Sequence, residues 1–526
     1  MNTQNRQFQL PAELEAQTII ERISAQLPLG KRIEERDLLT YYDSFDWRLF
    51  GSGMELIVRR QGRKRTLQLR SQNDGGLIES LTAGTRMPVF CRDLPAGGGM
   101  RRALDGVLQM RALMPQVELR SRITTLPVLD DEEKTVARIA FERHAAREPG
   151  KGKFRDVPGR LLLLPIRGYE ESFERLIGIL LEAYALPPGN EGLLAAALAA
   201  IGRIAGGYSS KLDFSFQPEQ PAASVAREIQ LQLLATLELN LDGTKANLDS
   251  EFLHDLRVAV RRARSALTQI KGVFPATDVE RFKPELAWIG QITGESRDMD
   301  VYLLDYDRYR TSLPQRLRPD LDPLHDFLQA HQKSAYRKMV RQLNSERFRR
   351  LLADWRDYLQ STSTGSDDAP AALASIAQVA NKRIYRIYKR VLAEGSLINA
   401  DSPAEALHEL RKNCKKLRYL IEFFQSLYPK SDVQPMIRAM KQLLDNLGLF
   451  QDLEVQAEKL RHFAHQMVAE GEVPVDTLLA MGMLVDGLLR RQAEVRLDFG
   501  SSFAEFSGSE NRKAFKALFA GKTEAA

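Results

Sequence analysis

The feature that most constrains this chain is a repeat within it. Glu251-Phe-Leu-His-Asp-Leu-Arg257 returns 154 residues later as Glu405-Ala-Leu-His-Glu-Leu-Arg411. The same shift, without a gap, superposes Arg264 on Arg418, Phe274-Pro275 on Tyr428-Pro429 and Asp278-Val279 on Asp432-Val433. It continues through Gly294 on Gly448, Asp298 on Asp452 and Val301 on Val455. A single shift holding over about fifty positions is the mark of a duplication, so the chain must fold two copies of one unit.

The periodicity of those copies is helical. At 3.6 residues per turn His254, Arg257, Arg261 and Arg264 share one face, with Arg262 at its border. Leu253, Leu256, Val260, Ala263 and Leu267 form a separate apolar stripe. The second copy repeats the basic face with His408, Arg411, Lys415 and Arg418, and adds Lys412 and Lys416. Like charges one turn apart destabilise a helix by a few tenths of a kcal/mol per pair, so such a face needs acids or an anion beside it. Further cations stand at Lys382, Arg383, Arg386, Lys389 and Arg390, next to an apolar set of Leu373, Ile376, Ala380, Ile384, Ile387 and Val391. Another group is Lys333, Arg337, Lys338 and Arg341. Two basic faces in matched register, each led by a histidine, favour an anion site over solvated helix surface. Asp298, Asp300, Asp452 and Glu454 are expected to hold arginines in place or to cap helices, and Gly294 and Gly448 to break or cap helices.

Residues 1 to about 170 have another texture. Short β-branched or aromatic segments (Leu38–Tyr42, Met54–Arg59, Arg65–Arg70, Val136–Phe141, Leu161–Pro165) alternate with glycine-rich turns, and Glu13–Gln26 and Tyr169–Tyr184 read as helices. The expected architecture is an α+β N-terminal domain with a mostly antiparallel, tunnel- or barrel-like sheet, then an all-α domain of two duplicated helical bundles. Phe216–Pro221 reads as the linker between them, and Ser361–Pro370 as the break between the copies.

Other classes fall away on composition. No apolar run approaches a membrane span. MNTQNRQFQL lacks a basic stretch followed by an apolar core, so no secretory signal is expected, and a cytoplasmic location follows as the default. Cys91 and Cys414 are too far apart in sequence for a metal or disulfide framework. The net charge of +6 is too small to announce nucleic acid.

The repeated helix resembles the CHAD (conserved histidine α-helical) domain family. Its pattern appears here as HDLRVAVRRAR from His254 and HELRKNCKKLR from His408, followed by GESRDMDV and GLFQDLEV. The resemblance covers roughly residues 220–510 and implies a helical fold with pseudo-twofold character and a basic surface that binds inorganic polyphosphate. It implies phosphate contacts from Arg257, Arg261, Arg262, Arg264, Arg411, Lys415, Lys416 and Arg418, with His254 and His408 lining the same surface. Arg337, Arg341, Lys382, Arg386, Lys389, Arg390 and Lys412 are added as basic neighbours. Association with polyphosphate granules is implied by the same resemblance.

The N-terminal half resembles a CYTH (triphosphate tunnel) domain through Leu39-Thr-Tyr-Tyr-Asp-Ser44 and Gly53-Met-Glu-Leu-Ile-Val-Arg-Arg60. That family's opening E-x-E-x-K strand holds a divalent metal, but Thr3, Asn5 and Gln7 stand at the aligned positions. Ile57 replaces the first arginine of Leu-Arg-x-Arg, and the late strand reads Arg160-Leu-Leu-Leu-Leu-Pro-Ile166. Magnesium requires carboxylate or phosphate oxygens. The expectation is therefore a CYTH-like domain over 1–210 that is catalytically degenerate, and a CHAD domain over 219–510 with halves 222–360 and 371–510. Polyphosphate is the expected partner; no enzyme activity, metal or cofactor is expected. The rivals are a magnesium-dependent triphosphatase in the first half, and an RNA binder using Tyr336, Tyr385, Tyr388 and Tyr419 for stacking. His254-Asp255 as a metallophosphohydrolase pair is disfavoured, because only seven histidines exist and the second copy reads His408-Glu409.

Overall fold

The computed structural model describes residues 5–11, 13–84, 86–184, 186–189, 191–361, 368–471 and 473–520. They form two compact units, Met1–Ser209 and Ser210–Ala526.

In the first unit eight antiparallel strands pair in the order β1-β8-β7-β6-β2-β3-β4-β5. These are β1 (Arg6–Leu10), β2 (Ile33–Asp43), β3 (Met54–Gln61), β4 (Lys64–Ser71), β5 (Leu77–Thr82), β6 (Met114–Leu129), β7 (Thr135–Arg147) and β8 (Arg155–Pro165). All five expected strand segments lie within β2, β3, β4, β7 and β8. The two helices appear as Ala16–Ser24 and Glu170–Ala183. The longest strand, β6, was not read from sequence. Its Pro115 and Pro127 and the charged run Glu118 to Arg122 obscure the alternation that would announce it.

The two faces of this sheet differ because strand side chains alternate. One face is apolar: Leu56, Val58, Leu67 and Leu69 pack on Met100, Leu104 and Leu108. Farther along it, Phe8, Ile139, Phe141, Leu161 and Leu163 pack on Ile19, Phe173 and Leu180. Residues in register on the other face include Glu55, Arg59, Gln68, Arg70, Ser121, Glu142, His144 and Arg160, a largely polar set. One part of that face is closed by Tyr41, Ile57, Val117 and Leu119 against the helix Leu193–Ala200.

The second unit is all helical among the described residues, and the duplication is visible in its element starts. Helices Ala222–Leu239 and Ile376–Ser396, Ser250–Gln269 and Ala404–Phe424, and Ala276–Ile292 and Lys430–Glu470 each begin 154 residues apart. The copies are joined by reciprocal backbone hydrogen bonds. Ala222 N donates to Ala374 O at 2.9 Å and Ile376 N to Gln220 O at 2.9 Å; Ala223 N donates to Ala372 O and Ala377 N to Pro218 O. Each bond is the other's image under the 154-residue shift, as an isologous contact about an internal twofold requires.

Two sequence expectations are corrected here. The segment around Phe216–Pro221, read as the linker, lies inside the helical unit, which starts at Ser210: Phe214 and Phe216 stack at 5.1 Å and are buried in the helical core, and Pro221 bridges Ser375. Leu373 does not join the apolar face of its helix. It is 71% exposed because the helix starts only at Ile376, after the turn that makes the reciprocal bonds. Residues 362–367 of the expected break lie outside the described residues.

The motif helices are seated by close packing. A Cβ on Gly243 would come within 2.2 Å of the Phe252 ring on the first motif helix. Overpacking of that kind costs about 1–3 kcal/mol, more than the roughly 1 kcal/mol gained from alanine's helix propensity. Gly243→Ala is therefore expected to destabilise the protein in denaturant unfolding. Gly487→Ala, on an open helix surface, should stabilise it by about 0.5–1 kcal/mol.

Candidate functional site

The first motif helix, Ser250–Gln269, is started by Asp249, whose carboxylate accepts from the backbone of Glu251 and Phe252. Its Leu253, Leu256, Val260, Ala263 and Leu267 are buried together, as their spacing demands, with Ile376, Ala380, Ile384, Ile387 and Val391 in the same core. That burial turns His254 and Arg257, half-buried, and Arg261 and Arg264, exposed, to another side. In the second motif helix, Ala404–Phe424, Leu407, Leu410, Cys414, Leu417 and Ile421 are buried; His408, Arg411, Lys415 and Arg418 are half-buried.

The helices meet through their basic residues. Arg261 Nε donates to the Tyr419 hydroxyl at 2.8 Å. Arg262 reaches Glu422 at 3.4 Å and the Ser210 carbonyl at 2.9 Å, and Arg418 Nε donates to the other oxygen of Glu422 at 2.6 Å. Arg257 Nη1 donates to the Gly290 carbonyl and the Thr293 hydroxyl, both at 2.8 Å. Burial, opposed only by Asp298, and then Arg261 and Arg297, lower its affinity for a proton.

The glycine and aspartate of the follow-on motif explain one another. A Cβ on Gly294 would lie 3.8 Å from Arg257 Nη1, and one on Gly448 3.6 Å from Arg411 Nη2. Asp452, one turn beyond Gly448, accepts from Arg411 Nη2 at 3.0 Å. Asp298, one turn beyond Gly294, faces Arg257 electrostatically and lies 4.0 Å from Lys459. The absent side chain lets a guanidinium lie on the helix, and the aspartate on the same face holds it. The expectation that both glycines break or cap helices is right only for Gly294, which opens Gly294–Ser312. Gly448 is buried within the uninterrupted helix Lys430–Glu470. Asp300 accepts from Gln332 at 3.0 Å, and His408 Nδ1 contacts Gln451 Oε1.

Lys415 lies at the centre of this arrangement. Burial, then Arg411 and Arg261, and also Arg418, pull its ammonium down to about 8, with Asp452 the opposing charge. Among the described residues its Nζ makes no hydrogen bond or ion pair, whereas on the same helix Lys412 donates to Glu409 at 2.7 Å and Lys416 to Asn413 at 2.9 Å. The repeat explains the vacancy of partners. The twofold image of Arg261–Tyr419 is Lys415–Ser265, and serine lacks the ring that carries the tyrosine hydroxyl across. Ser265 Oγ is itself buried without a partner.

The remaining sequence candidates are placed elsewhere in the unit. Lys382, Arg386, Lys389 and Arg390 are exposed on Ile376–Ser396, while Arg383 is buried and donates to the Gln269 carbonyl. Arg337 and Arg341 line a separate cleft of about 520 Å³ with Lys245 and Lys333. The aromatic residues are largely committed. Tyr388 stacks on Phe515 at 3.8 Å, Tyr336 donates to the Thr244 carbonyl and Tyr419 is held by Arg261.

In the sheet unit, Thr3 lies outside the described residues. The Gln7 side-chain oxygen, where the metal strand would supply a ligand, accepts from Arg160 at 2.6 Å. Glu142 lies 3.4 Å from Arg160 Nε and 3.3 Å from His144 Nε2. A divalent cation would meet a guanidinium there, so the donors do not fit one. Ile57 is buried among apolar residues, and Arg59 is held by Asp37 at 2.7 Å and Glu35 at 2.9 Å. Glu55, Glu142, His144, Arg70 and Arg160 were missed in the sequence, because strands far apart in the chain bring them together.

These features define a protein of two parts: an antiparallel sheet unit, and a duplicated helical unit with cations from both copies at their junction. Residues 228–461 match the CHAD domain family, so the helical unit carries a CHAD domain. An uncharacterized Mycobacterium tuberculosis protein, found in two strains, is 27% identical over 315 residues. The match spans 58% of this chain and 56% of the relative. Among solved structures, the CHAD domain of the plant Ricinus communis matches 58% of this chain and 96% of its own (23% identity, TM-score 0.46). A Hippeastrum adenylyl cyclase with dominant triphosphatase activity matches 38% and 96% (14% identity, TM-score 0.27).

Because an unpartnered, half-buried ammonium costs stability, Lys415→Met should stabilise the fold by about 1 kcal/mol at pH 7. The gain should shrink as pH rises from about 8 toward the ordinary lysine value, since the wild-type ammonium is then lost on folding at less cost. Thermal unfolding at pH 7 and 9.5 measures both.

Proposed function

We propose that the helical unit binds inorganic polyphosphate at the junction of its two motif helices. One observation carries this reading: Lys415, half-buried and without a hydrogen bond or ion pair among the described residues, stands with Arg261 of the first copy and Arg411 and Arg418 of the second, where burial first and then these charges disfavour its ammonium. A phosphate chain entering the junction would exchange repulsion for charge-assisted hydrogen bonds. The CHAD match over residues 228–461 agrees with such a ligand. A polymer of phosphates has no bases to stack, and here Tyr336, Tyr388 and Tyr419 are spent on packing and internal bonds. The exposed Lys382, Arg386, Lys389 and Arg390, and the cleft of Arg337 and Arg341, would extend the track for a long chain. A protein with this ligand would collect where the polymer is stored, at cytoplasmic granules. The sheet unit is taken as non-hydrolytic, in view of the Arg160–Gln7 and Arg160–Glu142 contacts.

Charge reversal at Arg257, Arg261, Arg411 and Lys415 together should abolish retention on immobilised polyphosphate. Retention unchanged in a folded quadruple variant would refute the site. Wild-type affinity should fall steeply with salt, in the manner documented for nucleic acids, and RNA at equal phosphate concentration should compete poorly. Phosphate release from tripolyphosphate with magnesium should stay at background.

Binding should also take up protons. In the free protein Lys415 titrates at about 8, and a polyanion favours its charged form, so the complex holds more protons near pH 8. Affinity should be full at pH 7 and decline as pH rises through 8, with up to about half a proton taken up per site at pH 8. Calorimetry in buffers of different ionisation heat reads that uptake, and Lys415→Arg should remove it.

A further inference from the structure

The cleft that Arg337 and Arg341 line, about 520 Å³ in volume, is walled by two helices of the first copy, Asp322–Leu343 and Leu241–Ala246. Lys333, Arg337 and Arg341 stand one turn apart along the first wall, at i, i+4 and i+8, and all three are exposed. Half-buried Lys245 lines the cleft from the second wall. Like charges at this spacing weaken a helix unless an anion meets them. Among the described residues none of these four cations makes a hydrogen bond or ion pair. Nearby acids are committed elsewhere: Glu295 holds Lys338 at 3.2 Å, Asp300 accepts from Gln332 at 3.0 Å, and Asp249 caps the first motif helix. The two walls are tied together, because the buried Tyr336 donates its hydroxyl to the Thr244 carbonyl, next to Lys245. A ligand therefore meets a preformed cleft and need not assemble it.

The internal twofold does not require these cations. The matching helices end together, at Leu343 and Leu497. Shifted by 154 residues, Lys245, Lys333 and Arg341 become Asn399, Gly487 and Val495. Arg337 becomes Arg491, which pairs with Glu494 at 2.8 Å. The second copy keeps the helix without the unpaired stripe, so the stripe answers to something other than the fold.

We propose that this cleft is a discrete binding site for a small anion carrying a short phosphate chain, either inorganic triphosphate or the triphosphate group of a nucleotide. The stripe engages successive phosphates, the arginines as forks and the lysine as a point charge, while Lys245 grips the chain from the other wall. A lone carboxylate or phosphate would leave most of the four cations unmet. The volume lies in the usual range of small-molecule sites. No residue of either motif helix lines the cleft, so the inference stands apart from the reading of the junction. A long polymer reaching the cleft would fill it with its end.

The full-length protein is titrated calorimetrically, without magnesium, with inorganic tripolyphosphate and separately with ATP. Arg337→Gln together with Arg341→Gln, both at exposed positions, should weaken one saturable equivalent of tripolyphosphate at least about tenfold. Lys338→Gln, whose lysine is paired with Glu295, should leave that equivalent unchanged, and so should charge reversal at Arg257, Arg261, Arg411 and Lys415. An unaltered titration in the double variant would overturn the site. Loss of the equivalent on junction reversal would overturn its independence while leaving the junction reading intact. ATP binding within about threefold of tripolyphosphate assigns the site to the triphosphate group of either source, and absence of ATP binding assigns it to the inorganic ion.

Discussion

Packing two basic helices side by side is the constraint around which the second unit is built. Two unit charges about 6 Å apart near a protein surface repel by about 3 kcal/mol. Burying one leucine or isoleucine side chain returns about 1.5–3 kcal/mol. The motif helices contribute Leu253, Leu256, Leu267, Leu407, Leu410, Leu417 and Ile421 to one core. Apolar burial can therefore hold the cations together, and it does so without neutralising all of them. The reciprocal backbone bonds of Ala222 with Ala374 and Ile376 with Gln220 fix the register in which they meet.

An internal twofold would ordinarily give every residue's mate the same surroundings, and much of this unit obeys that rule. Arg257 with Gly294 and Asp298 repeats as Arg411 with Gly448 and Asp452. The departures sit at the junction itself. Tyr419 serves Arg261, while the hydroxyl of its mate Ser265 has no partner among the described residues; Glu422 serves Arg262 and Arg418, while its mate Thr268 bonds its own helix. Divergence has placed these anchoring groups on the second copy, so Arg261 and Arg262 are held across the junction and Lys415 is not.

Much of this was legible in the sequence, for a physical reason. A helix face is local, so His254, Arg257, Arg261 and Arg264 can be placed together by period alone, and a duplication at constant spacing shows that two such faces exist. That Asp452 would anchor Arg411 could be guessed from the repeated Gly-x-x-x-Asp spacing. Which arginine would be neutralised could not be, because Glu422 and Tyr419 act across the junction. The sheet unit was less legible for the same reason. Glu142 and Arg160 are adjacent only because β7 and β8 pair, and β6 hides its alternation behind proline and charge.

The same contrast separates the units by what their charges ask for. On the sheet's polar face Arg59 is met by Asp37 and Glu35, and Arg160 by Glu142 and Gln7. A phosphate arriving there would have to displace carboxylates already in place, losing roughly what it gains. At the helical junction Arg411 and Arg418 are likewise held, by Asp452 and Glu422, but Lys415 has no hydrogen bond or ion pair among the described residues, so an arriving phosphate finds one cation there unclaimed. Arginine content does not distinguish a structural charge network from a ligand site. What distinguishes them is whether burial has been allowed to outrun neutralisation, and in this chain that happens where the two repeats meet.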